Sequence, residues 1–244
     1  MKNYLIRSLY KIKSPMWFDD RSDEGDLYDW YMKMHDISLR SFEKHLQGEW
    51  EFIFFNKEVE NIQEVFKDHF FEIYDIWKQG DCNILYCGPD NIMMKPTEMF
   101  GKYDDFMMFN YTDPKTSVEE NHYNIQHQHF FNADVRYYPS TMSQDIWDMG
   151  LEMAENWDFN SWNTEQFILN KMLWDQPDRN IDNTLDPTIA YQGHQLFVHD
   201  WEQRKVYSNE WNGCDIKDAQ IIHLHGSRHA PNKFALMDQL EKLS

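Results

Sequence analysis

The sequence has few basic residues for its size. Its 244 residues include 23 lysines and arginines against 42 aspartates and glutamates, so the formal net charge is −19. This composition argues against a nucleic-acid partner, because proteins of that class carry a basic surface. It would also repel an anionic ligand such as a nucleotide at long range. A nucleotide site in this chain therefore needs a metal ion, a helix N-terminus or local basic residues.

Cysteines and long apolar runs are scarce as well. The three cysteines, Cys82, Cys87 and Cys214, have no CxxC spacing and fit no common zinc site, so we expect reduced thiols in a cytoplasmic protein. No apolar run approaches the roughly 20 residues that a transmembrane helix needs. Arg7 and Lys11 interrupt the N-terminal segment, so the sequence predicts neither a transmembrane segment nor a signal peptide.

The first half of the chain alternates strand-like and helix-like segments. Strands are predicted at "NYLIRSLYKI", "WEFIFFN" and "NILYC", which are rich in strong strand formers. Amphipathic helices are predicted at "YDWYMKMHDISLRSFEKHLQ" and "IQEVFKDHFFEIYDIWKQG", the second of which stops at Gly80. The order β-α-β-α-β predicts an α/β fold with a mostly parallel central sheet flanked by helices.

The second half is less regular but contains the same kinds of element. Strands are predicted within "DDFMMFN", "HFFNADVRYYP" and "DAQIIHLHGSR". Helices are predicted at "SQDIWDMGLEMAENW", "NTEQFILNKMLWDQ" and "PNKFALMDQLEKL". Neither a repeat nor a linker interrupts the chain, so we expect one domain over residues 1–244.

One stretch, "NILYCGPDNIMMKP", raises a question about its turn. A buried strand ends abruptly at Gly88, Pro89 and Asp90, and apolar residues follow. In open α/β sheets, ligands bind beyond the carboxyl ends of the strands. A carboxylate there can hold a divalent metal ion, which can neutralise a diphosphate. The alternative is that Asp90 is only a turn residue, since aspartate is common in turns.

Four motifs occur in an order that resembles the glycosyltransferases of the GT-A fold. They are "ILYCGPDNIMMKP", "FFNADVRYYPS", "TEQFILN" and "IIHLHG", and they look most like the retaining enzymes of glycosyltransferase family 8. That family has a strand ending in Asp-x-Asp, a strand beginning Asn-Ala-Gly, a helix with Asp-Gln and Leu-Asn, and a strand ending in His-x-x-Gly. The resemblance runs over residues 83–230 and implies a single GT-A domain.

The resemblance implies a site for Mn²⁺ or Mg²⁺. Asp90 matches the second acid of Asp-x-Asp, and His223 matches the metal-binding histidine of the family. Gly226 matches the glycine that lets the backbone approach the diphosphate. Gly88 stands where the family has its first acid, so one of the usual protein ligands is missing.

The resemblance also implies contacts to the donor sugar. Asn132 and Ala133 match Asn-Ala-Gly, although Asp134 replaces the glycine. Glu165 and Gln166 match Asp-Gln, whose residues contact the sugar close to the reacting carbon. Carboxylate or amide oxygens on that face suit an oxocarbenium-like centre.

The basic residues after the last strand complete the predicted site. The usual lysine of the family is His229 here, and Arg228 and Lys233 are near enough in sequence to take its place at the diphosphate. The implied activity is transfer of a sugar from a nucleotide-sugar, a UDP-sugar, to a hydroxyl group of a glycan or another acceptor. By resemblance, the transfer is metal-dependent and retains the configuration of the sugar.

Other interpretations remain open from the sequence alone. Without an acid at position 88, the chain could be a non-catalytic GT-A domain that binds a glycan or a protein, or a glycosyltransferase that works without metal. His223 could be a core histidine, with His225 on the same strand face. Glu165 and Gln166 could serve only the first turn of their helix. An iron oxygenase using His122, His127 and His129 is disfavoured, because that fold needs many antiparallel strands.

Overall fold

A computed structural model describes most of the chain. The described residues are 1–13, 27–112, 130–156, 164–174, 191–194, 205–206, 214–215, 219–225 and 230–244. Their strands are β1 Lys2–Ile12, β2 Glu51–Val59, β3 Cys82–Cys87, β4 Asn91–Met93, β5 Met107–Thr112, β6 Phe130–Tyr138, β7 Tyr191–His194, β8 Lys205–Val206, β9 Cys214–Asp215 and β10 Ile221–His225. Their helices are α1 Leu27–His45, α2 Ile62–Trp77, α3 Gln144–Asn156, α4 Thr164–Trp174 and α5 Ala230–Leu243.

The central sheet has five strands in the order β2-β1-β3-β6-β5. Strand β1 pairs in parallel with β2 and with β3, whereas β6 pairs antiparallel with β3 and with β5. The predicted α/β fold is therefore confirmed, with a sheet that is parallel in its first half and antiparallel in its second. Each strand and helix predicted from the sequence has a counterpart whose ends differ by a few residues at most.

Alternation along the strands divides the core between the two faces of this sheet. On β1 and β3, Leu5 and Leu85 face α1, whereas Ile6 and Ile84 face a layer built from α2, α3 and α4. The predicted helix "NTEQFILNKMLWDQ" corresponds to α4, which places Phe167, Ile168, Met172 and Leu173 in that second layer, fully or almost fully buried. The period-two pattern of the strands thus explains the helix layers on both sides.

A second, smaller sheet has the order β4-β10-β7. Strand β4 follows β3 after the Gly88–Asp90 turn and pairs antiparallel with β10, while β10 pairs in parallel with β7. Helix α5 follows β10 and packs with α1 around Met34, Ile222 and Met237. The small sheet therefore brings the end of β3 next to the C-terminal part of the chain.

Helix ends agree with their sequence signals. The Asn61 side chain accepts a hydrogen bond from the Glu64 N–H and caps α2. Gly80, just beyond α2, has a φ of +84°, a conformation that glycine adopts without strain. Among the described residues, the helices are all too short or too polar to cross a membrane.

Candidate functional site

The candidate site lies where β3 ends and the small sheet begins. Strand β10 runs antiparallel to β4 with His223 opposite Asn91. The Leu224 N–H donates to the Asp90 carbonyl at 2.9 Å, which ties the turn after β3 to the strand that carries His223. Register therefore brings Asp90 and His223 together, as the sequence motifs predicted.

Three metal-ligating side chains meet at this point. His223 Nε2 lies 2.6 Å from Asp134 Oδ2 and 3.6 Å from Asp90 Oδ1. One ligand atom from each residue falls within 4.8 Å of the others. Asp134 stands on β6, two residues beyond Asn132, and the sequence motifs assigned it no role. Its position at the end of the β3–β6 pairing brings it into the site.

Lys233 is the fourth member of what we call the Asp90 cluster, which consists of Asp90, Asp134, His223 and Lys233. It lies in the first turn of α5, and its Nζ donates to Asp90 Oδ2 at 2.7 Å and to the Tyr31 hydroxyl at 3.1 Å. The lysine was predicted to assist at a diphosphate. In the structure its ammonium group is paired with the carboxylate that was predicted to bind the metal.

Opposite charges determine the protonation of this cluster. Burial alone would raise the pKa of Asp90, but Lys233 and His223 outweigh burial and hold that pKa well below its usual range. Burial would lower the pKa of His223, yet Asp134 and Asp90 raise it to about 9. Burial also lowers the pKa of Lys233, and Asp90 overcomes this and raises it. At neutral pH, Asp90 is therefore ionised, and His223 and Lys233 are both charged.

A buried arginine supports the turn from below. Arg7 is fully buried on β1, and its guanidinium donates to the Cys87 carbonyl at 3.1 Å, to the His35 carbonyl at 3.1 Å and to Ser38 Oγ at 2.7 Å. The Ser38 hydroxyl in turn donates to the Asn91 carbonyl. Arg7 thus holds the start of the turn directly, through Cys87, and the end of the turn through Ser38 of α1.

The described residues fit a divalent ion chemically. Carboxylate oxygens suit Mn²⁺ and Mg²⁺, and an imidazole nitrogen is a ligand for transition metals. Asn91 adds a further oxygen nearby, since its Oδ1 is buried and has no hydrogen-bond partner among the described residues. Its Nδ2 donates to the Gly88 carbonyl, so the amide lies against the same turn. The two predicted ligands, Asp90 and His223, would hold such an ion.

The predicted donor-sugar residues lie beside this cluster on β6 and α4. The Ala133 N–H donates to Gln166 Oε1 at 3.2 Å, which joins the first turn of α4 to the strand position just before Asp134. Glu165 instead turns into the core, where its Oε1 accepts from Arg136 at 2.7 Å. Asn132 is part of the β6 backbone.

The glutamate belongs to a second buried polar group, which we call the Arg136 cluster and which consists of His69, Arg136 and Glu165. His69 Nδ1 lies 2.9 Å from Glu165 Oε1, and Tyr86 packs against both the His69 ring and the guanidinium. The sequence motif predicts for Glu165 either a position in the first turn of a helix or a contact with the donor sugar. Its partner Arg136 stands on another element, so no local pattern indicated the pair.

Some predicted residues lie outside the described part of the chain. They are Gly226 and Arg228 of the diphosphate prediction, Cys214 apart from its strand backbone, and the histidines of the oxygenase alternative, His122, His127 and His129. The other two cysteines, Cys82 and Cys87, are buried free thiols.

The fold is similar to those of two solved glycosyltransferases. One is a glycosyltransferase involved in the glycosylation of the major capsid of PBCV-1, with a TM-score of 0.55 and 12% identity over 98% of this chain and 100% of that chain. The other is the apo form of the glycosyltransferase GlyE of Streptococcus pneumoniae TIGR4, with a TM-score of 0.50 and 12% identity over 99% of this chain and 62% of that chain. No protein-family model and no curated protein matches the sequence. The chain therefore has a glycosyltransferase fold.

Proposed function

We propose that this protein is a glycosyltransferase of the GT-A type, formed by residues 1–244 as one domain. It would move a sugar from a nucleotide-sugar donor, a UDP-sugar, to a hydroxyl group of an acceptor such as a glycan, with retention of configuration. The observation that carries this proposal is the convergence of Asp90 and His223 at the end of β3, in a chain whose fold is that of glycosyltransferases.

In this proposal Asp90 and His223 hold Mn²⁺ or Mg²⁺. When bound, the ion would neutralise negative charge on the departing diphosphate. Lys233 fixes one oxygen of Asp90, so that Oδ1 is the oxygen on the His223 side. The first turn of α5, which carries the lysine, adds the positive end of a helix dipole. These groups would offset the repulsion that a chain with a net charge of −19 exerts on a diphosphate.

Gln166, Glu165, Asn132 and Ala133 are proposed to line the donor sugar. The hydrogen bond between Ala133 and Gln166 supports a shared role, since it fixes the helix start against the strand. Gln166 is the stronger candidate for direct contact with the sugar. The Glu165 carboxylate is buried and already paired with Arg136 and His69. Glu165 would then position Arg136 and the helix start. Gly226 and Arg228 remain proposed contacts of the diphosphate.

A glycosyltransferase that works without metal is the second candidate. The bond between Lys233 and Asp90 favours it, because a cation already neutralises the carboxylate that a metal would use. In that case Lys233 and a protonated His223 would supply the positive charge at the diphosphate. The two candidates differ in one measurable property, which is the need for a divalent ion in nucleotide binding.

The test is thermal unfolding of the protein with UDP or with GDP, each with and without Mn²⁺. A ligand at 100 times its dissociation constant adds about 2.7 kcal/mol, which is visible as a raised melting temperature. We expect UDP to stabilise the wild type only when Mn²⁺ is present. Each variant is compared with its own ligand-free melting temperature, because Asp90→Asn also leaves Lys233 without its carboxylate.

Variants identify which candidate is correct. Asp90→Asn and His223→Gln should lose the Mn²⁺-dependent shift, and Asp105→Asn, an exposed acid before β5, should keep it. A UDP shift that does not need Mn²⁺ would support the metal-independent enzyme. No shift with either nucleotide would contradict both and leave a non-catalytic binding domain. If UDP does stabilise the protein, the next measurement is hydrolysis of a UDP-sugar in the absence of acceptor, which tests whether the bound donor reacts.

A further inference from the structure

Gly88 and Asp134 are neighbours across the end of the β3–β6 pairing. The Gly88 N–H donates to the Asp134 carbonyl at 3.0 Å. A β-carbon at position 88 would lie 3.0 Å from Asp134 Oδ1 and 3.3 Å from Asp90 Oδ1. A side chain at position 88 would therefore point into the space between two carboxylates of the Asp90 cluster.

A side chain at position 88 would consequently crowd the Asp134 carboxylate. The β-carbon alone would approach Asp134 Oδ1 more closely than ordinary van der Waals contact, so this carboxylate would have to shift to make room for an acid at position 88. The chain has glycine at one of these positions and an acid at the other. The position without the expected acid, Gly88, and the position with an unexpected acid, Asp134, are thus neighbours in space.

We propose that Asp134 supplies, from β6, the carboxylate ligand that an acid at position 88 would supply from the end of β3, so that Asp90, Asp134 and His223 together bind one divalent cation. The inference rests on the proposed metal-dependent function and adds a ligand that the sequence motifs did not assign. The metal site thus keeps its second carboxylate ligand, which comes from β6 and not from position 88 at the end of β3.

The charges of the cluster support this assignment. Lys233 is bonded to Asp90, so that pair carries no net charge. His223 must release its proton to act as a ligand, and this release removes the positive charge that lies 2.6 Å from the Asp134 carboxylate. Among these four side chains, Asp134 therefore provides the negative charge that is left to attract a dication. Without it, the described cluster would offer a cation only a neutral imidazole and a carboxylate already neutralised by lysine.

The solvent exposure of the three side chains also supports Asp134 as a metal ligand. The His223 side chain is 1% exposed and the Asp90 side chain 7%, whereas the Asp134 side chain is 36% exposed. Asp134 thus lies on the side of the cluster that faces solvent, where an ion and a diphosphate enter. The imidazole, held 2.6 Å from Asp134 Oδ2, lies behind it.

The experiment measures Mn²⁺ binding directly, by the electron paramagnetic resonance signal of free Mn²⁺ during titration, with no nucleotide or sugar present. The variants are Asp134→Asn, the exchange Gly88→Asp with Asp134→Gly, and Asp105→Asn as the control with the same change of charge. Loss of a group that only supports a ligand weakens metal binding about 10- to 100-fold. We expect Asp134→Asn to weaken it at least tenfold, Asp105→Asn to leave it unchanged, and the exchange to restore it.

The exchange variant is the decisive member of this set. Removing the Asp134 side chain clears the closest contact of a β-carbon at position 88, so the new carboxylate has room. Melting temperatures without metal show that each variant is folded. Wild-type affinity in Asp134→Asn would overturn the inference and leave the metal-dependent function intact. Failure of the exchange to restore binding would overturn the equivalence of the two positions. An absence of Mn²⁺ binding in the wild type would overturn the metal-dependent function itself.

Discussion

The two buried polar clusters differ in how their charges are matched. In the Arg136 cluster, one carboxylate receives both an arginine and a histidine, and the three side chains are at most 7% exposed. In the Asp90 cluster, two carboxylates surround one histidine and one lysine, and the second carboxylate is 36% exposed. The Arg136 cluster is closed to solvent, whereas the Asp90 cluster has an acid that is open to solvent.

This difference shows which kind of buried charge indicates a ligand site. Both Asp90 and Glu165 have a pKa below the usual range, because cations beside them outweigh burial. A lowered pKa is therefore common to a structural ion pair and to a candidate site. What separates the two clusters is solvent exposure, since the Asp134 side chain is 36% exposed and the side chains of the Arg136 cluster are at most 7% exposed.

The largest expected effect concerns the closed cluster. Arg136→Met would leave the Glu165 carboxylate buried with only His69 beside it, and breaking a buried pair in this way costs about 3–5 kcal/mol. Urea unfolding measures the change in the free energy of unfolding. Arg40→Met is the matched control, because Arg40 forms an exposed pair with Glu241, worth at most about 1 kcal/mol. Similar losses in both variants would contradict the view that burial makes the Arg136 cluster structural.

Acid should weaken the same cluster. Burial raises the pKa of Glu165, but Arg136 and His69 outweigh it and lower the pKa to about 2. Since the unfolded value is about 4.3, the carboxylate stabilises the fold above that pH and loses its contribution as pH falls towards 2. We expect the wild type to lose roughly 2–3 kcal/mol more than Glu165→Gln between about pH 6 and pH 2.5. Parallel curves of unfolding free energy against pH would show that Glu165 is not stabilised by its partners.

Added metal should separate the clusters by function. Mn²⁺ at 100 times its dissociation constant should stabilise the wild type by about 2.7 kcal/mol. Glu165→Gln should gain the same increment, and a chelator should remove it from both proteins. Asp134→Asn should gain little at the same concentration of Mn²⁺. A reduced increment in Glu165→Gln would mean that the Arg136 cluster takes part in metal binding.

The sequence predicted the elements of the fold because their signals are local. Apolar periodicity located the helices, and residues such as Ile84 and Ile168 were buried as their patterns required. The antiparallel half of the sheet was not predicted, since strand direction depends on connections that lie beyond any one segment. The His-containing motif on β10 placed His223 correctly next to Asp90 because the order of the motifs carried information about the whole fold.

The site was predicted in part, and the missed features depend on long-range register. Lys233 and Asp90 are separated by 143 positions in the chain, and no pattern within either segment indicates that they are bonded. Asp134 appeared in the sequence as a departure from a glycine in a motif. A role for Asp134 in metal binding could not be predicted from its own segment, because only the pairing of β3 with β6 brings Asp134 next to Gly88.

Gly88→Ala is expected to have the smallest effect on stability and a specific effect on the Asp90 cluster. Gly88 is not among the glycines with positive φ, so alanine can adopt its backbone conformation, and we expect Gly88→Ala to change the free energy of unfolding by less than about 1 kcal/mol. Its β-carbon would nevertheless lie 3.0 Å from Asp134 Oδ1, which forces that carboxylate to shift. Mn²⁺ affinity should therefore fall severalfold.

Gly80→Ala provides the opposite pattern. Gly80 has a φ of +84° and no atom within 4 Å of a β-carbon, so alanine there is strained but touches nothing. That variant should lose roughly 1 kcal/mol of stability and bind Mn²⁺ as the wild type does. If Gly88→Ala binds Mn²⁺ as tightly as the wild type, Mn²⁺ binding does not depend on the position of the Asp134 carboxylate. If both alanine variants lose affinity, general destabilisation rather than crowding at the open cluster explains the loss.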